Sequence, residues 1–276
     1  IEVARSKQGI VLSQRKYTID LLAKTGTLGS TPLDTLLDAN IKFQAEVGKP
    51  CDRGRYQRLV GKLIYLAHTR PDIAYAVSVV RQYMHNPYSI QMDSVIRILR
   101  YLKGAPGKGI LFQKQDHIKV KAFTDADWAN SPDDRRSTSG YCAFVGGNLV
   151  AWRSKKQDVV ARNSADAKFR AMAQGICEVL WIRRLLGELG LSVPEPLMLY
   201  SDSKSAINIA HNPVQHDRTK NVEIDRHFIK EKIEAGLICT PFIPSTEQTA
   251  DMLTKAVHRR VFEHLCTKLG MYDIHA

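Results

Sequence analysis

No stretch of the sequence approaches the roughly 18 to 20 consecutive apolar residues that a membrane-spanning helix needs, and no signal-peptide pattern opens it. The expectation is therefore a chain without a membrane partner. Its five cysteines, Cys51, Cys142, Cys177, Cys239 and Cys266, are odd in number, scattered and without C-x-x-C spacing. They frame neither a disulfide scaffold nor a zinc site, and a reducing intracellular compartment, cytoplasmic or nuclear, is expected. Acids are short relative to bases: 28 Asp and Glu stand against 40 Lys and Arg, a formal net charge of +12. Methionine is missing from the first position, and the opening "IEVARS" reads as strand, so a piece of something longer is expected.

What is present is enough for a sizeable core, with 276 residues of which 44% are hydrophobic. The basic residues fall in short clusters: Arg135 and Arg136, Arg153 with Lys155 and Lys156, Arg183 and Arg184, Arg259 and Arg260. Such a surface favours a polyanion, most simply nucleic acid; a solvated basic face that keeps the protein in solution is an equal alternative on composition alone.

The start has two short apolar runs around Lys7-Gln8-Gly9, a hairpin signal, and Tyr17, Leu21 and Leu22 mark one face of a helix over 15–24. Residues 27–52 lack steady periodicity and form a soft boundary. Three helical patterns follow, the first with Leu59, Leu63 and Leu66 on one stripe. After Gly107 the texture changes to strands: "KGILFQKQDHIKVKAFTDADW", then "STSGYCAFVGG" and "NLVAWRSKKQ" around a Gly-Gly-Asn turn. A long helix from about Ser164 to Leu189 carries the stripe Phe169, Met172, Ile176, Val179 and Leu180. A strand at "PLMLYSD", two helices, a strand at "ICTPFIP" and a final helix through Leu269 complete the order β-β-β-α-β-α-α-β-α. That order predicts an α/β mixed sheet flanked by helices, preceded by a mainly helical segment.

Asp125 and Asp202 each fall at or near a predicted strand end, where functional groups of open α/β sheets gather. Two carboxylates from adjacent strands could share a divalent cation such as Mg²⁺, although either one alone is more often a surface or capping acid. The histidines offer no ligand set: His211 and His216 read as loop and His227 as part of a helix stripe.

Segment after segment, "YQRLVGKLIYLAHTRPDIAYAV", "RILRYLKG", "TDADWA", "RRSTSGYCAFVGGNLVAWRSKKQ", "LYSDSKSAINIAHNP", "DRHFIKEKIEAG" and "ADMLTK" resemble the C-terminal part of the Pol polyprotein of copia-type retrotransposons. The resemblance implies a reverse transcriptase tail over 1–52, a helical connection segment over 53–108 and a ribonuclease H-like domain over 109–276. The polymerase's own Tyr-x-Asp-Asp motif is not in this chain, which excludes DNA synthesis by it. Ribonuclease H enzymes hold two Mg²⁺ ions with carboxylates in the order Asp, Glu, Asp, Asp, and hydrolyse the RNA strand of an RNA-DNA hybrid through a metal-activated water. Carried over by the motifs, the first is Asp125, the third Asp202 and the last Asp251, placed on the final helix.

The second carboxylate is the departure. The family reads Ser-Ser-x-Glu-Ala-Glu on the long helix, and the match sets Asp166 at the first Glu and Lys168 at the second, the metal ligand. Asp166 sits about 200° of helical rotation from Lys168, so it is expected to serve the helix start, with Asn163 or Ser164 as cap. Lys168 removes an oxygen ligand and adds a positive charge, worth ~4 kcal/mol against one unit charge at ~4 Å and an effective dielectric near 20. It pairs with Asp125 and Asp202, or its stem carries the ammonium out to water and leaves a weakened three-carboxylate site. Asn221, where the family usually has His, is a lesser departure.

Arg135, Arg136, Arg153, Lys155 and Lys156 are the expected phosphate contacts to a hybrid, and Trp128 and Trp152 either stack on it or, more often for such residues, pack in the core. The expectation is a polyprotein fragment whose ribonuclease H domain is impaired or inactive, with RNA-DNA hybrid and the rest of the reverse transcriptase as partners. An active hybrid nuclease, a non-catalytic nucleic-acid-binding module and a functionless remnant are the alternatives.

Overall fold

In the computed structural model the described residues are 1–37, 44–211 and 220–273, with the backbone alone over 220–224. His216 lies outside the described residues, as does the side chain of Asn221. In chain order the elements are β1 (Glu2–Ser6), β2 (Gly9–Ser13), α1 (Arg15–Lys24), α2 (Arg53–Leu66), α3 (Ala74–Arg81), α4 (Ser89–Gly104), β3 (Lys108–Phe112), β4 (Val120–Asp127), β5 (Thr138–Val145), β6 (Asn148–Lys156), α5 (Ser164–Glu188), β7 (Leu197–Tyr200), α6 (Lys204–His211), α7 (Lys220–Glu234), β8 (Ile238–Cys239), α8 (Arg259–Lys268) and β9 (Met271–Asp273). Among the described residues no helix is long and apolar enough to cross a membrane.

The chain divides into two compact units, the first comprising Ile1–Lys114, Ser131–Asp134 and Lys255–Ala276. Its sheet has the order β1-β2-β3-β9, antiparallel throughout, and the expected hairpin forms with Ser6 opposite Gly9. The stripe Leu59, Leu63 and Leu66 on α2 is buried with Tyr56 and Val60. Between α2 and α3 an ion pair is fully enclosed: Arg70 and Asp72 lie 2.7 Å apart, the Tyr101 hydroxyl donates to Asp72 Oδ2 (2.7 Å), and Arg70 Nη1 donates to the Ala105 carbonyl (2.9 Å). A buried pair is tolerated only when its remaining polar atoms are satisfied in this way.

The second unit, Gln115–Asn130 and Arg135–Thr254, holds a five-stranded sheet in the order β6-β5-β4-β7-β8. β6, β5 and β4 run antiparallel, while β7 and β8 join parallel to β4 and to each other. Five mixed strands flanked by helices are the α/β architecture that the element order predicts. Two differences concern boundaries. The stretch Lys108–Trp128, read as one strand, is β3 and β4 in separate sheets, because the polar run Gln113-Lys114-Gln115-Asp116 offers no apolar face to either. The final helix likewise does not reach back to Asp251, for a reason that belongs to the site below.

Helix α5 lies against β4, β5 and β7 with Phe169, Met172, Ile176 and Val179 in the core beside Val120, Ala122, Leu197 and Leu199. Its approach depends on Gly175, where an added Cβ would meet Thr124 Cγ2 at 2.4 Å and Leu199 Cδ1 at 2.9 Å. Gly175→Ala is therefore expected to destabilise the second unit by about 1–3 kcal/mol in urea titrations. A loss inside the ~0.5 kcal/mol scatter of neutral surface changes would mean that the helix sits farther from the sheet.

Candidate active site

The parallel register pairs Phe123 of β4 with Tyr200 of β7. Asp125 and Asp202 each stand two residues beyond that pair, so the same edge of the sheet receives both carboxylates. Asp125 is 1% exposed within β4, and Asp202 follows β7. The third carboxylate arrives from outside the strands. Asp251 sits in the short 3-10 turn Thr249–Leu253, not on the final helix, which begins at Arg259 in the first unit. The turn ends because the Thr254 hydroxyl donates to Asp125 Oδ2 (2.5 Å) and lies 3.1 Å from the Asp251 carbonyl, a side-chain competition that ends regular helix.

Three residues not singled out in the sequence hold this turn on the sheet. Gln248, fully buried, donates from Nε2 to the Thr124 carbonyl (3.0 Å) and accepts from the Ala250 N–H (3.2 Å). Gly140, opposite Asp125 in the β4/β5 ladder, admits the turn where an added Cβ would meet Leu253 Cβ and Thr254 Cγ2 at 2.8 Å each. The third is Thr254 itself. Their signal in the sequence is weak, since a buried glutamine and a strand glycine announce themselves only once a second segment is known to lie over the strand.

Each of Asp125, Asp202 and Asp251 offers a carboxylate oxygen, and these lie within 4.8 Å of one another. Lys168, one turn into α5, enters the same cluster: its Nζ stands 2.6 Å from Asp202 Oδ1 and 3.0 Å from Asp125 Oδ1, with the side chain only 14% exposed. Of the two alternatives for this lysine, the paired one is observed. Ser245 Oγ donates to Asp202 Oδ2 (3.0 Å), so both oxygens of Asp125 and both of Asp202 face a protein donor. Burial alone would lower the Lys168 pKa; the charge of Asp125 and the hydrogen bonds and charge of Asp202 and Asp125 outweigh it and hold the ammonium above its usual range.

Asp166 turns away as expected. Its N–H is capped by Asn163 Oδ1 (2.9 Å), while its carboxylate accepts from the Arg162 N–H (3.1 Å) and pairs with Arg170 (3.1 Å). His211, read as loop, ends α6 with Nε2 3.0 Å from Thr240 Oγ1. Among the basic candidates, Arg153 stands opposite Tyr141, whose hydroxyl donates to Glu178 (2.6 Å); burial foremost, then Glu178, raises the Tyr141 pKa, with Arg153 acting the other way. Lys155 pairs with the exposed Asp158 (3.2 Å), Lys156 lies opposite Thr138, and Arg135 and Arg136 precede β5. Trp128 is 46% exposed and anchored by its Nε1–H to the Ala161 carbonyl (3.0 Å), so core packing does not describe it.

Sheet order, crossing helix and an acid cluster at the β4/β7 edge define an α/β domain, a mixed five-stranded sheet flanked by helices. The chain belongs to the copia-type retrotransposon Pol polyprotein family. It is 40% identical over 99% of its length to the Retrovirus-related Pol polyprotein from transposon RE2 of Arabidopsis thaliana, and 36% identical over 98% to that from transposon TNT 1-94 of Nicotiana tabacum. It spans only 19% and 21% of those relatives. An uncharacterized mitochondrial protein of Arabidopsis thaliana, AtMg00810, is 38% identical over 66% of this chain and 75% of its own. No protein-family model matches. Among solved structures, ribonuclease H1 LC11 in complex with RNA/DNA hybrid aligns at 14% identity and TM-score 0.37 over 49% of this chain and 94% of that one. The foamy viral protease-reverse transcriptase in complex with dsDNA aligns at 12% identity and TM-score 0.48 over 89% and 45%.

The donor set tests whether the residues fit a pair of divalent cations. Three hard oxygen donors do, but an ammonium within hydrogen-bond distance of two of them does not, since it occupies their oxygens and repels a dication. Lys168 therefore acts as the cluster's internal counter-charge. Lys168→Met is expected to cost about 3–5 kcal/mol in urea unfolding with chelator present, because it leaves two buried carboxylates uncompensated. A cost below ~1 kcal/mol would mean that the three carboxylates need no counter-charge.

Proposed function

We propose that this chain is the reverse transcriptase tail, connection and ribonuclease H portion of a Pol polyprotein, the last running over 109–276, and that Mg²⁺-dependent hydrolysis of the RNA strand in an RNA-DNA hybrid is impaired or absent in this copy. Asp125, Asp202 and Asp251 stand where the family's metal-binding carboxylates stand, and Lys168 takes the place of the missing glutamate. The observation that carries this reading is the Lys168 ammonium at 2.6 and 3.0 Å from the two central carboxylates. With that ammonium in place the cluster supports no metal-assisted step.

The net charge of +12 favours a second role that survives the loss of hydrolysis, salt-sensitive binding of a hybrid, with Arg135, Arg136, Arg153, Lys155 and Lys156 as phosphate contacts. The rest of the polyprotein is the natural protein partner. All five cysteines are free, which supports an intracellular setting, cytoplasmic or nuclear.

Lys168→Glu removes the cation and supplies the missing oxygen ligand in one step. On a labelled RNA-DNA hybrid with Mg²⁺ or Mn²⁺, the parent chain is expected to show little or no cleavage and the variant a large gain. A second readout is independent of turnover: Mg²⁺ should raise the melting temperature of the variant and leave that of the parent unchanged. Parent turnover comparable to that of the variant would overturn the proposal.

A further inference from the structure

In the first unit the segment 27–37 lies along α4, and three cations of that helix hold it. Arg97, Arg100 and Lys103 recur every third residue, so they fall within an arc of about 120° over about 9 Å of helix axis. Arg97 Nη2 donates to the Thr35 hydroxyl (2.6 Å), Arg100 Nε to the Thr31 carbonyl (2.8 Å) and Lys103 Nζ to the Ser30 carbonyl. The Leu33 N–H donates in return to the Arg100 carbonyl (3.3 Å).

All three acceptors are neutral. Among the described residues none of these cations has an ion-pair partner, and the segment's single acid, Asp34, is taken by Arg259 of α8 (2.6 Å). Arg97 Nε is buried with no hydrogen-bond partner, and a desolvated guanidinium N–H is costly until an acceptor meets it. The helix C-terminus accounts for Lys103 but not for Arg97, two turns earlier. The fold thus lines the segment with positive charge and gives that charge no anion.

The segment's hydroxyls show where an anion would arrive. Thr27 is buried, Ser30 donates to the Thr27 carbonyl (2.7 Å) and the Thr35 hydroxyl is held by Arg97. Thr31 differs from all three: it is exposed, and its hydroxyl makes no hydrogen bond among the described residues. Pro32 follows it, also exposed, and disfavours helical backbone at Thr31. An exposed, non-helical Thr-Pro pair is what a proline-directed protein kinase accepts. The Thr31 hydroxyl also lies only a few covalent bonds from the carbonyl oxygen that Arg100 already holds.

We propose that Thr31 is a phosphorylation site whose phosphate is received by Arg100, with Arg97 and Lys103 on either side. A proline-directed kinase transfers the γ-phosphoryl group of a nucleoside triphosphate to Thr31 Oγ1. The new oxygen–phosphorus bond forms as the bond to the β-phosphate oxygen breaks; the nucleoside diphosphate leaves with that electron pair, and the hydroxyl proton passes to solvent. The product brings a charge of about −1.5 to −2 and three acceptor oxygens to the row of cations. Its hydrogen bonds are roughly twice as strong as those to neutral carbonyls, so the modification fixes segment 27–37 on α4.

The test treats the folded full chain with a proline-directed protein kinase and ATP and locates the phosphate by mass spectrometry. Thr31 should carry it, and Thr31→Val should remove that signal. Phosphorus NMR over a pH series then reads whether the cations receive the group. The second ionisation should fall from about 6 in the urea-unfolded chain to about 5 in the folded one, and Arg97→Gln/Arg100→Gln should return it toward about 6. In hydrogen exchange the Leu33 amide should open about tenfold less often after phosphorylation. Melting curves establish that each variant is folded. No phosphate on Thr31 of the folded chain, equal ionisation in the folded and unfolded chains, a shift that survives the double variant, or an unchanged Leu33 amide would each overturn the proposal. Lys168 is untouched throughout, so the outcome is independent of whether Lys168→Glu restores cleavage.

Discussion

Carboxylates buried side by side repel one another, and the edge of the five-stranded sheet is organised around how that repulsion is cancelled. At ~4 Å and an effective dielectric near 20, one pair of like charges costs ~4 kcal/mol. A divalent cation would cancel it with two positive charges and could be shared by all three acids; here a single ammonium does so from within the chain. Lys168 supplies one charge to two carboxylates, and the Thr254 and Ser245 hydroxyls each donate to an oxygen that the ammonium does not reach. The result ties together β4, the end of β7, the start of α5 and the turn that carries Asp251. Four separate places in the second unit are thus held together by one side chain.

The first unit handles charge in two contrasting ways. Arg70 and Asp72 are enclosed, and every strong interaction they need is provided by Tyr101, Ala105 and each other. On the surface of the same unit Asp52 caps α2 by accepting from the Arg55 N–H (2.9 Å), and that bond, then the nearby charges of Arg58 and Arg55, hold its carboxyl below the usual range. Buried charge persists only when fully paired, whereas exposed charge is screened by water and adds little to the fold.

Much of this was legible in the sequence because it rests on periodicity and on strand ends. The stripe from Phe169 to Val179 announced α5, the alternation around Val120 and Ala122 announced β4, and Asp125 and Asp202 were found as acids near strand ends. The placement of Asp251 was less legible. Helical propensity gives no warning that Thr254 will donate to a carboxylate 129 positions earlier in the chain and stop the helix there. Gly140 and Gln248 were invisible for the same reason, since their roles exist only where a distant turn crosses the sheet. The run Gln113 to Asp116 is a polar interruption that separates two sheets, a local signal that the apolar runs on either side of it obscure. Lys168 stands at the other extreme: one residue type at one helical position was enough to pose the whole question of the site.

The two consequences of that lysine, a lost oxygen and a gained charge, bear on different properties. Loss of the oxygen alone would leave three acids crowded and the unit dependent on whatever cation it could capture. The gained charge removes that dependence, while Thr254 and Ser245 donate to the outer oxygens that the ammonium does not reach. The second sheet, the packing of α5 and the 3-10 turn are all formed around this lysine. Likeness to relatives runs over 99% of the chain at 40% identity with this cation seated among the three acids. The fold of the second unit is therefore no measure of hydrolysis, because the ammonium that stabilises the acid cluster is the charge a dication would have to displace.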